Sequence, residues 1–271
     1  DDGSTDGSYE QLNGYRDPRL KVIKQENQGV SIARNIGVAN ASADYVAFLD
    51  ADDCYHSDFL ERISKLIKIQ PQAALYCCRF MLVDEQGKNF IPSGTLERGY
   101  VGELPCFFSA YLHNRSLISS SSMAVRKAAF LDVGGFPAGK AVGEDMQLIL
   151  NLALKGSTIA DYSIAATVFR NTQNRTAQRH PTEPSCHIEY FLKTTDWKKS
   201  APGKATAVDK FIFHNTLLHI GGAMLNNQPV LARYYVRLLW KRSWTFGALA
   251  SLISVLPPSF LRYLKYRRNH G

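Results

Sequence analysis

Tyr45-Val46-Ala47-Phe48-Leu49-Asp50-Ala51-Asp52-Asp53 is the stretch from which the fold of this chain is read. Five apolar residues in a row predict a buried strand, and three carboxylates stand directly at its carboxyl end. Ligands of α/β sheets sit beyond the carboxyl ends of the strands, so Asp50 is placed where a site belongs. The same D-x-D in isolation is an ordinary solvated acidic turn.

The neighbouring sequence alternates in the same style. Leu20–Lys24 predicts a short strand, Val30–Ala41 a helix, and Phe59–Ile69 an amphipathic helix with apolar positions at Phe59, Leu60, Ile63, Leu66 and Ile67. Ala74–Phe80 reads as a further strand, Gln86-Gly87-Lys88 as a hairpin tip and Ser119–Val125 as a strand. Helices follow at Lys127–Val133, stopped by Gly134-Gly135-Phe136-Pro137, and from Gly143 to Lys155. Gly37 inside its helix implies close packing on the sheet. Alternation of this kind predicts an α/β fold, with mostly helical sequence after a polar, proline-containing boundary at Arg175–Ser185.

The chain has 271 residues, 45% of them hydrophobic, which is enough for a sizeable core. Five cysteines make an odd set without a C-x-x-C pair. Adjacent Cys77 and Cys78 point to opposite faces of a strand, so packed, inert thiols are expected. The net charge of +8 lies wholly in Pro229–Gly271, where Arg233, Arg237, Lys241, Arg242, Arg262, Lys265, Arg267 and Arg268 meet no Asp or Glu. A neutral body with a basic tail points to a polyanionic surface as partner.

Further carboxylates recur in order. Asp1-Asp2-Gly3-Ser4-Thr5-Asp6 reads equally as a helix-capping turn or as a nucleoside-reading edge. Arg34, in Gln28-Gly29-Val30-Ser31-Ile32-Ala33-Arg34-Asn35, is either a surface ion pair or a bidentate partner for acids and phosphate. Glu144-Asp145 either complements a helix macrodipole or supplies a base; a helix N-terminus lowers a carboxylate's pKa, so a base there needs offsetting burial. A dehalogenase-like phosphatase also uses D-x-D after an apolar strand, but it carries Thr or Val where this chain has Cys54.

Taken in order, Asp1–Asp6, Ala33-Arg34-Asn35, Asp50-Ala51-Asp52-Asp53, Gly134-Gly135-Phe136 and Glu144-Asp145 resemble the motifs of the family 2 glycosyltransferases over Asp1–Thr176. The resemblance implies a GT-A fold, a mixed, mainly parallel central sheet flanked by helices, to which the chain's own pattern adds a helical basic C-terminal extension. It implies a catalytic domain at residues 1–180, lacking the family's opening strand–helix unit; beyond it, the charge and apolar pattern of the chain predict a helical, membrane-proximal region at 181–271. It also implies inverting sugar transfer from a nucleoside-diphosphate sugar, UDP-linked, to a hydroxyl of a glycan or lipid-linked acceptor in cell-surface polysaccharide synthesis. A non-catalytic membrane-associated module of the same fold is the alternative.

Carried over residue by residue, Asp1, Asp2, Arg34 and Asp50 would bind the donor. Asp50, Asp52 and Asp53 would face an Mg²⁺ or Mn²⁺ ion, and Asp145, beside Glu144, would be the general base. A departure follows the last helix: the family's Tyr-Arg-x-His segment is echoed by Phe169-Arg170-Asn171-Thr172 without its histidine.

Ser243–Leu256 is uncharged and about 21 Å long as a helix, short of the ~30 Å hydrocarbon core. With Trp240, Trp244, Tyr263 and Tyr266 beside Lys and Arg, it predicts a helix lying in the membrane interface. Core packing is the alternative, and no nucleic-acid module accompanies the charge. The expected setting is cytoplasmic, peripheral on the inner face of the membrane, with residues 229–271 removable without loss of nucleotide binding.

Overall fold

The computed structural model describes residues 1–92, 96–97, 99–113, 117–169, 183–195, 198–199 and 201–255. The expected strand is β1 (Tyr45–Ala47), followed after the acidic turn by β2 (Cys54–Tyr55), β3 (Leu75–Val83), β4 (Asn89–Phe90), β5 (Val101–Glu103), β6 (Met123–Arg126) and β7 (Thr158–Phe169). They form one mixed sheet in the order β1-β6-β3-β7-β2, with β4 on β3 and β5 on β7. β6 runs antiparallel to both β1 and β3, and β3 runs parallel to β7, so β1, β3 and β7 point the same way.

Helices cover both faces of the sheet. α1 (Ser8–Asn13) and α2 (Val30–Asn40) precede β1, and α3 (Phe59–Ile69) follows β2. α4 (Phe107–His113), α5 (Lys127–Asp132) and α6 (Glu144–Lys155) complete the α/β part. β3 is buried on both sides, which explains its nearly unbroken apolar run. Leu75 and Cys77 face the larger core, while Tyr76 and Cys78 face the smaller core under Phe59, Ile63 and Leu66 of α3. The two thiols therefore do point apart, and burial pushes both above the ordinary value.

Four expectations change here. Leu20–Lys24 is not a strand: its neighbour is Asp1, whose ammonium donates to Ile23 O (2.7 Å) and whose carbonyl accepts from Gln25 N (3.0 Å). A ladder needs more than one such pair. Gly37 is exposed, and a Cβ there would meet nothing within 4 Å, so close packing does not explain it. Ser120–Ser122 forms a 3-10 turn, and only Met123–Arg126 is strand.

The fourth change concerns the basic tail. α7 (Cys186–Lys193), α8 (Ala205–Leu225), α9 (Pro229–Arg242) and α10 (Trp244–Ser254) follow the α/β part. α9 buries Ala232, Tyr235, Val236, Leu238 and Leu239 in the same core as β3 and α6. Arg242 bonds to the carbonyls of Phe191 and Thr194 and to Asp209. Lys204 caps α6, its Nζ donating to Ala153 O at 2.6 Å. Residues 229–242 are thus part of the folded body, because their apolar stripe matches the groove between α7 and α8. Arg170–Thr182, with the boundary at 180 and Arg170-Asn171-Thr172, and residues 256–271 lie outside the described residues. No described helix is long and apolar enough to cross a membrane.

Candidate active site

The acidic run leaves β1 through Phe48 and turns back at once, Asp53 N donating to Asp50 O (3.0 Å). Pairing of β2 with β7 then draws Asp53 inward, where its carboxylate accepts the N–H of Phe169 (2.9 Å). Burial raises the Asp53 carboxyl above its ordinary value, against hydrogen bonds from Ser121 and Phe169. Asp53 is therefore a latch between the turn and the end of β7. Asp52 is exposed at the tip and makes no hydrogen bond or ion pair among the described residues.

Asp50 is held on three sides. Its N–H donates to Ser121 Oγ (3.0 Å), its Oδ2 accepts from Ser120 Oγ (2.9 Å), and its Oδ1 pairs with Arg34 Nη2. Ser120 and Ser121 come from the 3-10 turn before β6, so the strand pairing of β1 with β6 delivers them. Their role was not assigned from sequence, although the run Ser119-Ser120-Ser121-Ser122 was a visible signal.

Arg34 comes from α2. Its second nitrogen, Nη1, lies 3.7 Å from Glu144 Oε1, and the guanidinium sits 5.0 Å from the ring of Phe136. Asn35 fixes that ring: its Nδ2 donates to Phe136 O and its Oδ1 accepts from Phe136 N, both at 2.9 Å. Gly135 (φ +69°) passes so close that a Cβ would lie 2.7 Å from Asn35 Oδ1. The Gly134-Gly135-Phe136 turn thus clamps α2 beside β1.

Glu144 and Asp145 open α6 behind Gly143, whose φ of +82° suits glycine. A side chain at Gly143 would meet Ser185 Oγ at 2.3 Å and His187 Nδ1 at 2.5 Å, so the start of α7 packs directly on this turn. Desolvation raises both carboxyls of the pair, Glu144 to about 7; repulsion from Asp145 adds to the rise at Glu144, Asp50 adds at both, and Arg34 opposes it. The helix N-terminus does not win: burial is the larger effect.

Arg34, Asp50, Ser120, Ser121, Glu144 and Asp145 are therefore one connected group. Among the described residues Asp2 reaches it through the start of α2, and Asp1 shapes the loop that carries Asp2. Asp1 Oδ1 accepts the N–H groups of Gly3 and Ser4, and Asp2 accepts from Gln25 Nε2 (2.7 Å) and from the N–H groups of Gln28 and Gly29 (2.9 Å each) at the start of the helix bearing Arg34. Among the described residues no three His, Cys, Asp or Glu side chains are placed to hold a metal by themselves. An open Asp52 still suits a hard cation that takes one or two carboxylates and completes its shell with phosphate oxygens and water.

Comparison with known proteins agrees with this geometry. The glycosyl transferase family 2 model matches residues 1–130. Glycosyltransferase GlyA of Streptococcus pneumoniae is 42% identical over 77 residues, covering 27% of this chain and 11% of GlyA. The uncharacterized glycosyltransferase EpsJ of Bacillus subtilis is 34% identical over 93 residues, covering 34% of this chain and 27% of EpsJ. The chain thus spans only a minor part of the length of these relatives. Residues 1–349 of S. aureus TarS, solved in complex with UDP-GlcNAc, superpose with a TM-score of 0.72 at 15% identity, covering 99% of this chain and 81% of TarS 1–349. The fold is the GT-A type, and residues 1–130 match the family 2 glycosyltransferases.

Proposed function

We propose that this chain transfers a sugar, with inversion, from a UDP-linked donor to a hydroxyl of a glycan or lipid-linked acceptor in cell-surface polysaccharide synthesis. The observation that carries the reading is the Arg34 bridge, which joins the strand-end Asp50 to a Glu144–Asp145 pair of raised proton affinity. The UDP-GlcNAc bound to TarS, whose fold is shared, supports a UDP-linked donor.

In the proposed step Asp145 accepts the proton of the acceptor hydroxyl. The acceptor oxygen forms its bond to the anomeric carbon as the bond from that carbon to the diphosphate oxygen breaks, and the electron pair leaves with the diphosphate. A pKa above the ordinary carboxylate range strengthens the base, which burial beneath α7 achieves. Asp50, with Arg34, sits on the donor side; Asp2 orders the nucleoside end by holding the start of α2. Asp52 would hold Mg²⁺ or Mn²⁺, which neutralises charge on the departing diphosphate. Asp53 shapes the turn, and Asp1 shapes the loop that presents Asp2.

Titration of the chain with UDP and Mn²⁺ tests this reading by calorimetry and thermal shift. Saturable heat and a raised Tm are expected. No heat and no shift would overturn it in favour of a non-catalytic module. The expected position, cytoplasmic and peripheral at the inner face of the membrane, is a separate matter for the α9–α10 surface.

A further inference from the structure

α9 and α10 fold back on each other with a face that the core does not use. Along α9 the outward residues are Val230, Arg233, Arg237, Trp240 and Lys241, all exposed. Along α10 they include Trp244, Leu249, Leu252 and Val255 at its end, with Leu252 64% and Val255 77% exposed. At 100° per residue these four fall within an arc of about 140°, away from Gly247 and Ala250, which face the protein.

Trp240 joins the two stripes. Its indole Nε1 donates to Ser251 Oγ (3.0 Å), and its ring occupies the space where Gly247 lacks a side chain, 2.5 Å from a Cβ built there. Basic and apolar stripes are therefore neighbours on one surface, with tryptophans at their border. No Asp or Glu occurs between Pro229 and Val255 to neutralise it. Large apolar groups left together in water mark an interaction site.

We propose that this face docks on an anionic lipid surface, the α10 stripe entering the interface and Arg233, Arg237 and Lys241 meeting lipid phosphates. The charge decides between occupants. A second copy meeting the face symmetrically would bring the same cations together, which is repulsive. Residues 256–271 carry Arg262, Lys265, Arg267 and Arg268, so laying them over the stripe would add like charge. An anionic leaflet satisfies both stripes, and a helix too short to span lies in its plane. This inference is independent of the transferase reading.

Sedimentation of the full chain with vesicles tests it, using phosphatidylcholine alone and phosphatidylcholine with about one-third phosphatidylglycerol. Binding is expected only to the anionic vesicles, with partial release by salt, since screening leaves the apolar contact. Each cation near the leaflet is worth about fivefold in partition, so R237E should weaken binding about tenfold or more. L252E/V255E should weaken it similarly and remove the salt-resistant fraction. Melting and UDP titration of each variant show that fold and nucleotide site are unchanged, so failure here is distinct from failure of the transferase reading. Variants that sediment like the parent chain would overturn the proposal, as would a lipid-free dimer in ultracentrifugation that L252E/V255E dissociates.

Discussion

Arg34 and Asp50 form an ion pair that ties helix α2 to the carboxyl end of strand β1, with the guanidinium side chain only 14% exposed. Because the other arm of Arg34 faces Glu144, a single side chain bridges the strand-end Asp50 and the carboxylates that open α6. Arg34→Ala leaves two carboxylates without their cation, and UDP affinity should fall about ten- to hundredfold. Arg34→Lys restores charge without the fork and should give an intermediate affinity. Calorimetry that finds parental affinity in Arg34→Ala would exclude a donor-side role.

Asp52 is the carboxylate at the strand end left open to solvent. EDTA should abolish UDP binding, and Asp52→Asn should raise the Mn²⁺ concentration needed for half-saturation by about tenfold or more. Asp53→Asn, in contrast, should act through stability, because Asp53 holds the N–H of Phe169. Unchanged UDP affinity in Asp52→Asn at limiting metal would remove Asp52 from the metal site.

Asp145→Asn keeps the size of the side chain but cannot accept the proton. Donor affinity should stay within about threefold, while turnover falls by roughly two to four orders of magnitude. Near-normal turnover in this variant places the base elsewhere. In the parent chain the acid limb of the kcat profile should lie above the ordinary carboxylate range, since burial raises both members of the pair.

Glu144 also makes stability depend on pH in a defined direction. Its carboxyl is raised from 4.5 to about 7 in the folded chain, so between those values the folded state holds a proton that the unfolded chain has released. Stability should therefore decline as pH rises through that window. The effect is on the order of 2 kcal/mol, or about 4–8 °C in Tm between pH ~5 and pH ~8. Glu144→Gln should flatten the decline; melting curves with equal slopes would show that Glu144 does not carry it.

Truncation after Gln228 should prevent folding. Tyr235 and Leu239 of α9 are fully buried, and each such side chain contributes about 1.5–3 kcal/mol. Losing α9 entire removes an amount comparable to the ~5–15 kcal/mol that holds a domain together. A monomeric 1–228 fragment with a cooperative melt would show instead that α9 is an accessory.

The elements read most accurately from sequence were those whose signal is local. α2, α3, α5 and α6 followed from apolar pattern and glycine stops, and β3 from its unbroken apolar run. Gly37 misled because a helix interior tolerates glycine on an exposed face as well as at a close contact. α9 misled because net charge is visible along a chain, whereas the matching groove between α7 and α8 is not.

The sequence by itself determined where carboxylates follow strands, which residues begin α6, and that the last segment is basic, since each depends on neighbours a few residues apart. Only the tertiary structure decided what those carboxylates touch. Ser120 and Ser121 reach Asp50 from 70 and 71 residues away, Arg34 meets Glu144 across the site, and Ser185 with His187 backs Gly143. Sheet pairing and helix packing bring these groups together. Proton affinity at Glu144 and Asp145 is decided there too, because it depends on how much water the packed chain excludes.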